Sequence, residues 1–309
     1  MNKRQLGRTD ISFEPLVFGG NVFGWTLEEP DAFRVLDAFL DHGFSAIDTA
    51  DVYGKGKSET IVGNWMKARG NRNKVLLFTK LGSEMTTPEA KGLSAAYMVR
   101  AVEDSLRRLQ TDFIDLYQSH RPDPATPQAE TLEAFDRLVK AGKVRAIGAS
   151  NFSAEQHREA EEISASRHLV RYESEQPEYN LYVRDRFEGA LQEFCVAHQI
   201  SVLPYFSLAA GFLTGKYRSE ADFGKSPRGA RMTRYMGPRG DKILAAMDSV
   251  ASETGASLAE IALSWLLAQP GVTAPIASAT SLDQLASLAR GVGLELTGAQ
   301  LESLTAAGK

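Results

Sequence analysis

Short runs of β-branched and aromatic residues alternate with helix-period stretches along this 309-residue chain, and that alternation narrows its possible folds more than any other feature. The runs are LVFG (16–19), FSAID (44–48), VLLFTK (75–80), FIDLYQSH (113–120), VRAIGAS (144–150), VRYESEQ (170–176), ISVLPYF (200–206) and VTAPIAS (272–278). Between them, apolar residues return every three or four positions. Phe33, Val35, Leu36, Phe39 and Leu40 make one stripe in 31–42, closed by His42 and Gly43; Val99, Val102, Leu106 and Leu109 make another in 95–109. Segments 58–68, 128–141, 154–165, 186–198, 241–254 and 257–268 also predict helices. A strand with its crossover helix takes roughly 30 residues, which is about the spacing of the first seven runs. Eight strands, each followed by a helix, predict an α/β fold of the (β/α)8 TIM-barrel type with long loops on the C-terminal side. The interval before the last strand is longer and holds an insertion at 207–240 ahead of an extra helix. RQLGRTDISFEP (4–15) predicts an N-terminal hairpin plugging the bottom of the barrel. No Pro/Ser/Gly-rich linker divides the chain, so a single domain over 1–309 is expected.

Composition narrows the function. Hydrophobic residues make up 43% and charged residues 24%, with 35 Lys+Arg against 39 Asp+Glu. The net charge of −4 argues against a nucleic-acid partner. No apolar run of membrane-spanning length and no signal-peptide pattern occurs, so a cytoplasmic, membrane-free protein is expected. A lone Cys195 rules out an intrachain disulfide and a multi-cysteine metal cluster; beside Leu191 and Phe194 it reads as a small core residue. His157, His168 and His198 lack ligand spacing, and no metal site is expected.

In such a barrel, chemistry gathers at the C-terminal strand ends. Here those ends carry Asn21, Asp48, Lys80, His120, Ser150 with Asn151, Gln176, Tyr205 and Ser278, a polar ring suited to a large polar ligand. Asp48, Tyr53, Lys80 and His120 form an acid–base set within it. A free tyrosine titrates near pH ~10. An ammonium beside Tyr53 is expected to lower that value, while Asp48 holds Lys80 charged and His120 orients a carbonyl or relays a proton. GKGKS (54–58) lacks the glycine of a Walker A loop, Asp51 standing where it is needed. Ser58 is read instead as the N-cap of helix 58–68, with Glu59 in its first turn.

IDTADVYG (47–54), FTKLG (78–82), DLYQSHRPD (115–123), IGASNFS (147–153) and LTGKY (213–217) together resemble the aldo-keto reductases, in the family's order and across nearly the whole chain. Within that family it resembles the bacterial branch that is also similar to the potassium-channel β subunits. The resemblance implies an Asp-Tyr-Lys-His tetrad at Asp48, Tyr53, Lys80 and His120, with Tyr53 protonating a carbonyl oxygen as a nicotinamide delivers hydride. It implies carboxamide contacts at Ser150, Asn151 and Gln176 and a ring stack at Tyr205. Phe206, Ser207, Leu208, Gly211 and Lys216 match the stretch that wraps the pyrophosphate. Trp25, Tyr53, His120 and Arg121 would face a small carbonyl or alcohol substrate. Relatives often have Trp where Arg121 stands, so substrate preference does not carry over.

Cofactor choice is where this sequence departs from the familiar pattern. PIASATSLDQL (275–285) offers neutral Ser278, Thr280 and Gln284 where many relatives place Lys and Arg for the NADPH 2′-phosphate. The insertion compensates: 207–240 contains Lys216, Arg218, Lys225, Arg228, Arg231, Arg234 and Arg239 against Glu220 and Asp222. Its excess positive charge predicts a flap over a dinucleotide, with Arg228 in SPRGA (226–230) at the adenosine end. The expectation is an NADPH-dependent carbonyl reductase with a modest preference over NADH. An NAD-linked sugar or alcohol dehydrogenase, and a nicotinamide-sensing subunit with weak catalysis, stand as alternatives. Oligomeric state leaves no readable mark.

Overall fold

The structure is a computed structural model and describes residues 2–85, 87 and 90–309. A hairpin of β1 (Arg4–Gln5) and β2 (Ser12–Phe13) opens the chain. Strands and helices then alternate: β3 (Val17–Gly19), α1 (Glu29–Asp41), β4 (Ala46–Asp48), α2 (Lys57–Arg69), β5 (Leu76–Leu81), α3 (Ala95–Leu109), β6 (Ile114–Ser119), α4 (Gln128–Lys140), β7 (Val144–Ser150) and α5 (Ala154–Arg167). The remainder is β8 (Tyr172–Gln176), α6 (Ala190–Ala197), β9 (Ser201–Val202), α7 (Pro238–Thr254), α8 (Leu258–Leu267), β10 (Ile276–Ala277), α9 (Leu282–Gly293) and α10 (Gly298–Ala307).

Eight parallel strands run in the order β10-β3-β4-β5-β6-β7-β8-β9. The sheet closes where Thr273 N–H donates to the Val202 carbonyl at 2.8 Å and Ile276 N–H to that of Pro204 at 2.9 Å. This is the expected (β/α)8 barrel. Leu6, Ile11 and Phe13 of the hairpin pack with Val17, Ala46, Phe78, Leu116, Ala146 and Leu203, so the plug fills the barrel interior from below. Two further buried clusters lie between the strands and the helical ring. Gly63 is required by close approach, since a Cβ there would meet the Arg108–Leu109 backbone of α3.

Helix boundaries follow local chemistry. α3 begins after Ser94, whose hydroxyl accepts the Tyr97 N–H. α1 begins at Glu29 because Pro30 suits the first turn, ahead of the apolar stripe that marked it in the sequence. α6 is shorter than 186–198, since Gly189 has φ 92° and holds the preceding residues out of the helix. α10, which the strand count omitted, carries a capping box between Thr297 and Gln300. The expected capping role of Ser58 is corrected: Gly56, at φ 88°, precedes α2, and the Ser58 hydroxyl turns inward to donate to the Gly20 carbonyl. Cys195 is buried, and His198 stacks on Phe194. The 207–240 insertion is three 3-10 turns, Ala209–Thr214, Glu220–Lys225 and Gly229–Tyr235, anchored by buried Phe212, Tyr217, Met232 and Tyr235. Among the described residues, no helix is long and apolar enough to cross a membrane.

Candidate active site

Strand alternation selects the side chains that reach the barrel axis. In β4, Ala46 faces the inner cluster and Ile47 the outer one, which turns Asp48 inward. In β5, Phe78 faces inward, while Thr79 reaches outward to Glu59 on α2 at 2.7 Å, so Lys80 points inward. In β6, Leu116 inward and Tyr117 outward bring Gln118 into the same interior, and His120 follows the strand.

Lys80 is fully buried, and its Nζ donates to Asp48 Oδ2 at 2.6 Å, the Thr49 carbonyl at 2.7 Å and Tyr53 Oη at 3.3 Å. An ammonium has three hydrogens and no acceptor. All three are used here, so the Tyr53 oxygen accepts from Lys80 and its own hydrogen is left for a group in the cleft. Gln118 and Gln176 donate to Asp48 Oδ1 at 3.3 and 3.0 Å, fixing the carboxylate from its other side. Tyr53 rides on the turn Tyr53–Gly56 and meets the His120 ring edge-on at 5.8 Å.

Burial dominates the titration of this group. It pushes the Tyr53 hydroxyl above its ordinary value; the Lys80 charge pulls the other way and loses. The expected lowering of Tyr53 is therefore corrected, because removing a phenolate from water costs more than one ammonium returns. Burial alone would lower Lys80, but Asp48 and Tyr53 together raise it, and it stays an ammonium. Burial, with the charges of Lys80 and Arg121, holds His120 well below the usual imidazole range, so it is neutral near pH 7, and its Nδ1 is buried without a partner among the described residues.

Above these residues lies a cleft of about 860 Å³. Of the candidate catalytic, cofactor and substrate residues, Lys80 alone lies behind its wall; all the others line it. Asn21 and Trp25 come from the loop after β3, and Arg121 from the loop after β6. Ser150, Asn151, Gln176 and Tyr205 interlock: Ser150 Oγ donates to the Gln176 carbonyl at 2.7 Å and Tyr205 Oη to Asn151 Oδ1 at 2.9 Å. Beyond Tyr205 the chain turns sharply, with Phe206, Ala209 and Ala210 all at positive φ. Ser207, Leu208, Gly211 and Lys216 line the cleft from this stretch.

At the far end Ser278 Oγ donates to the Gly19 carbonyl at 2.7 Å and lies 2.8 Å from Asn21 Oδ1, and Gln284 Oε1 accepts from Thr280 N–H at 2.9 Å. Those neutral groups are already engaged with one another. Arg228 is not: one guanidinium nitrogen is buried without a partner among the described residues, and its carbon lies over the Trp25 ring at 5.3 Å. The insertion's charge is less free than its composition suggests. Arg218 pairs with Asp248, Lys225 with Asp222 and Arg234 with Glu178, and Arg239 donates to the Gly308 carbonyl, which leaves Lys216, Arg228 and Arg231 lining the cleft.

Sequence reasoning missed Gln118, Ser257, Ser287 and Asp51. Ser287 lies one helical turn past Gln284, and its hydroxyl shares a 3.0 Å hydrogen bond with Ser257; only their placement on α9 and beside α8 reveals them. Asp51 is buried behind Lys80, whose carbonyl accepts its N–H, and neither carboxyl oxygen makes a well-formed hydrogen bond. Burial, reinforced by the Glu59 carboxylate, raises it to about 8.

A cleft with one unpartnered buried guanidinium nitrogen among the described residues, three further cations and interlocked amides suits a polar, phosphate-bearing ligand of dinucleotide size. The family comparison agrees. Residues 15–309 match the model of the Aldo/keto reductase family, and the chain belongs to that family, whose members are NAD(P)H-dependent oxidoreductases acting on small carbonyl compounds. It is 38% identical to aldo-keto reductase YhdN of Bacillus subtilis, over 92% of this chain and 84% of that protein. It is 32% identical to a probable voltage-gated potassium channel subunit beta of Arabidopsis thaliana (92% and 89%), and 31% to protein tas of Escherichia coli (96% and 94%).

Proposed function

We propose that this protein reduces aldehyde and ketone carbonyls to alcohols, with Tyr53 as the proton donor and NADPH preferred over NADH. The observation that carries the reading is the threefold donation of Lys80, which leaves the Tyr53 hydrogen directed at the cleft.

A reduced nicotinamide, when bound, supplies hydride to the carbonyl carbon. Ser150, Asn151 and Gln176 would hold its carboxamide and Tyr205 its ring; the Phe206–Gly211 backbone with Lys216 would take the pyrophosphate. Arg228 would take the 2′-phosphate beside Ser278, Thr280 and Gln284. Neutral His120 donates a hydrogen bond to the carbonyl oxygen and polarises it. Tyr53 then gives up its proton, since a forming alkoxide is a stronger base than a phenolate. Lys80 holds the phenolate so produced, and Asp48 keeps Lys80 charged and in place. Tyr53 holds its proton at neutral pH, burial raising it above its ordinary value, so the donor is loaded for reduction, whereas alcohol oxidation would need it ionised.

A panel of aromatic and aliphatic aldehydes and ketones, run with NADPH and NADH and followed by loss of nicotinamide absorbance, tests the reading. Turnover with the higher kcat/KM on NADPH is expected. Tight nucleotide binding with no turnover of any carbonyl would overturn it in favour of a nicotinamide-sensing role.

A further inference from the structure

Among the described residues, the charged ones lining the cleft are Asp48, Arg121, Lys216, Arg228 and Arg231. Asp48 is neutralised by Lys80, so the cleft presents unopposed cations inside a chain of net charge −4. Lys216, Arg228 and Arg231 belong to the insertion that follows β9. Arg121 does not. It follows β6, four strands round the eight-stranded barrel from β10, and so lies across the cleft from Ser278, Thr280 and Gln284.

Phosphates bound along the insertion leave Arg121 unaddressed. It is exposed, next to His120 in the chain, and among the described residues no carboxylate lies within 4.0 Å of its nitrogens. Arg186 and Arg234, by contrast, are both answered by Glu178. The Arg121 charge also reaches the reacting end of the cleft, where it helps to hold His120 neutral. A guanidinium offers a planar fork of donors that matches a carboxylate in two parallel hydrogen bonds.

We infer that Arg121 is a specificity determinant, and that the preferred substrates are aldehydes or ketones bearing a carboxylate remote from the carbonyl, with the carbonyl held between Tyr53 and His120 and the carboxylate on Arg121. This rests on the carbonyl-reductase reading and names its substrate class.

The test compares matched aldehydes with and without a charged carboxylate: 4-carboxybenzaldehyde with 4-formylbenzamide, and the more flexible 5-oxopentanoate with methyl 5-oxopentanoate. For wild type, kcat/KM should favour the carboxylate by about 5- to 50-fold in at least one pair, the range expected for a charge-assisted hydrogen bond at a solvated rim. Added salt should erode that ratio. Arg121→Gln should bring the ratio close to one, Arg121→Glu should invert it, and Arg121→Lys should restore part of it, since an ammonium keeps the charge but not the fork. A wild-type ratio near one in both pairs, or a ratio unmoved by Arg121→Gln, overturns the inference while leaving carbonyl reduction intact. Absence of turnover with all four aldehydes overturns the underlying reading instead. Should Arg121→Gln be inactive on every substrate, the wild-type ratio and its salt dependence decide the matter alone.

Discussion

Asp51 should make this protein's stability depend on pH in an unusual direction, and Asp51→Asn should abolish that dependence. In the folded chain its carboxyl holds a proton up to about 8, because it is buried beside Glu59, which is itself committed to Arg108 at 2.7 Å. Unfolded, an aspartate releases its proton near pH ~3.9. Between those values the native state binds more protons at this site than the unfolded chain, so the site's contribution falls as pH rises from about 4 and bottoms out above about 8. Each tenfold difference in proton affinity is worth ~1.4 kcal/mol, which sets an upper limit of about 6 kcal/mol; relaxation around a buried charge reduces this to about 2–5. Asparagine has the same shape and never ionises. With an unfolding entropy of ~2.1 cal/mol/K per residue, its gain should appear as a rise in Tm of about 3–8 °C at pH 8. Thermal melts of both proteins, followed by circular dichroism from pH 4.5 to 9, give the difference directly. It should be small at the acid end and grow with pH. A constant difference, or an asparagine variant less stable than wild type at pH 8, would refute the buried-proton argument.

Other outcomes follow from the same geometry. Lys80→Met leaves the Asp48 carboxylate buried without its counter-ion and should cost about 3–5 kcal/mol in urea unfolding; adding Asp48→Asn should recover much of that loss, and no recovery would count against a coupled pair. Arg228→Ala should weaken NADPH far more than NADH in fluorescence titrations, because the neutral groups at the adenosine end are engaged with one another; equal losses would remove Arg228 from the 2′-phosphate. If the insertion closes over dinucleotide, trypsin should cut after exposed Arg231 and Arg234 more slowly with saturating NADPH than without it, and equal rates would dismiss the flap.

The barrel was legible because its determinants are local. The period-2 runs and period-3.6 stripes repeat at a fixed spacing, and the hairpin, the eight strands and most helices lie within a few residues of their sequence bounds. The rim was legible for a related reason: strand alternation carries Asp48, Lys80, Gln176 and Ser278 to one end of one barrel. Properties that depend on three-dimensional surroundings were not. No sequence rule could weigh burial against the Lys80 charge at Tyr53, where burial wins. Ser58 has a capping residue's identity, yet Gly56 takes the bend and frees its hydroxyl for Gly20. The insertion's basic composition overstated its free charge, because Asp248, Asp222 and Glu178 had to be located before Arg218, Lys225 and Arg234 could be discounted.

The claim that Tyr53 delivers the proton is tested most directly by Tyr53→Phe, which removes one oxygen and leaves the ring edge against His120. NADPH affinity, from quenching of protein fluorescence, and single-turnover carbonyl reduction, from stopped-flow absorbance, should be measured on the same preparation. Affinity should stay within a few-fold of wild type while the reduction rate falls by about 10²–10⁴, the contribution of one general acid. A Tyr53→Phe protein that binds NADPH normally and reduces the carbonyl at close to the wild-type rate would contradict the account.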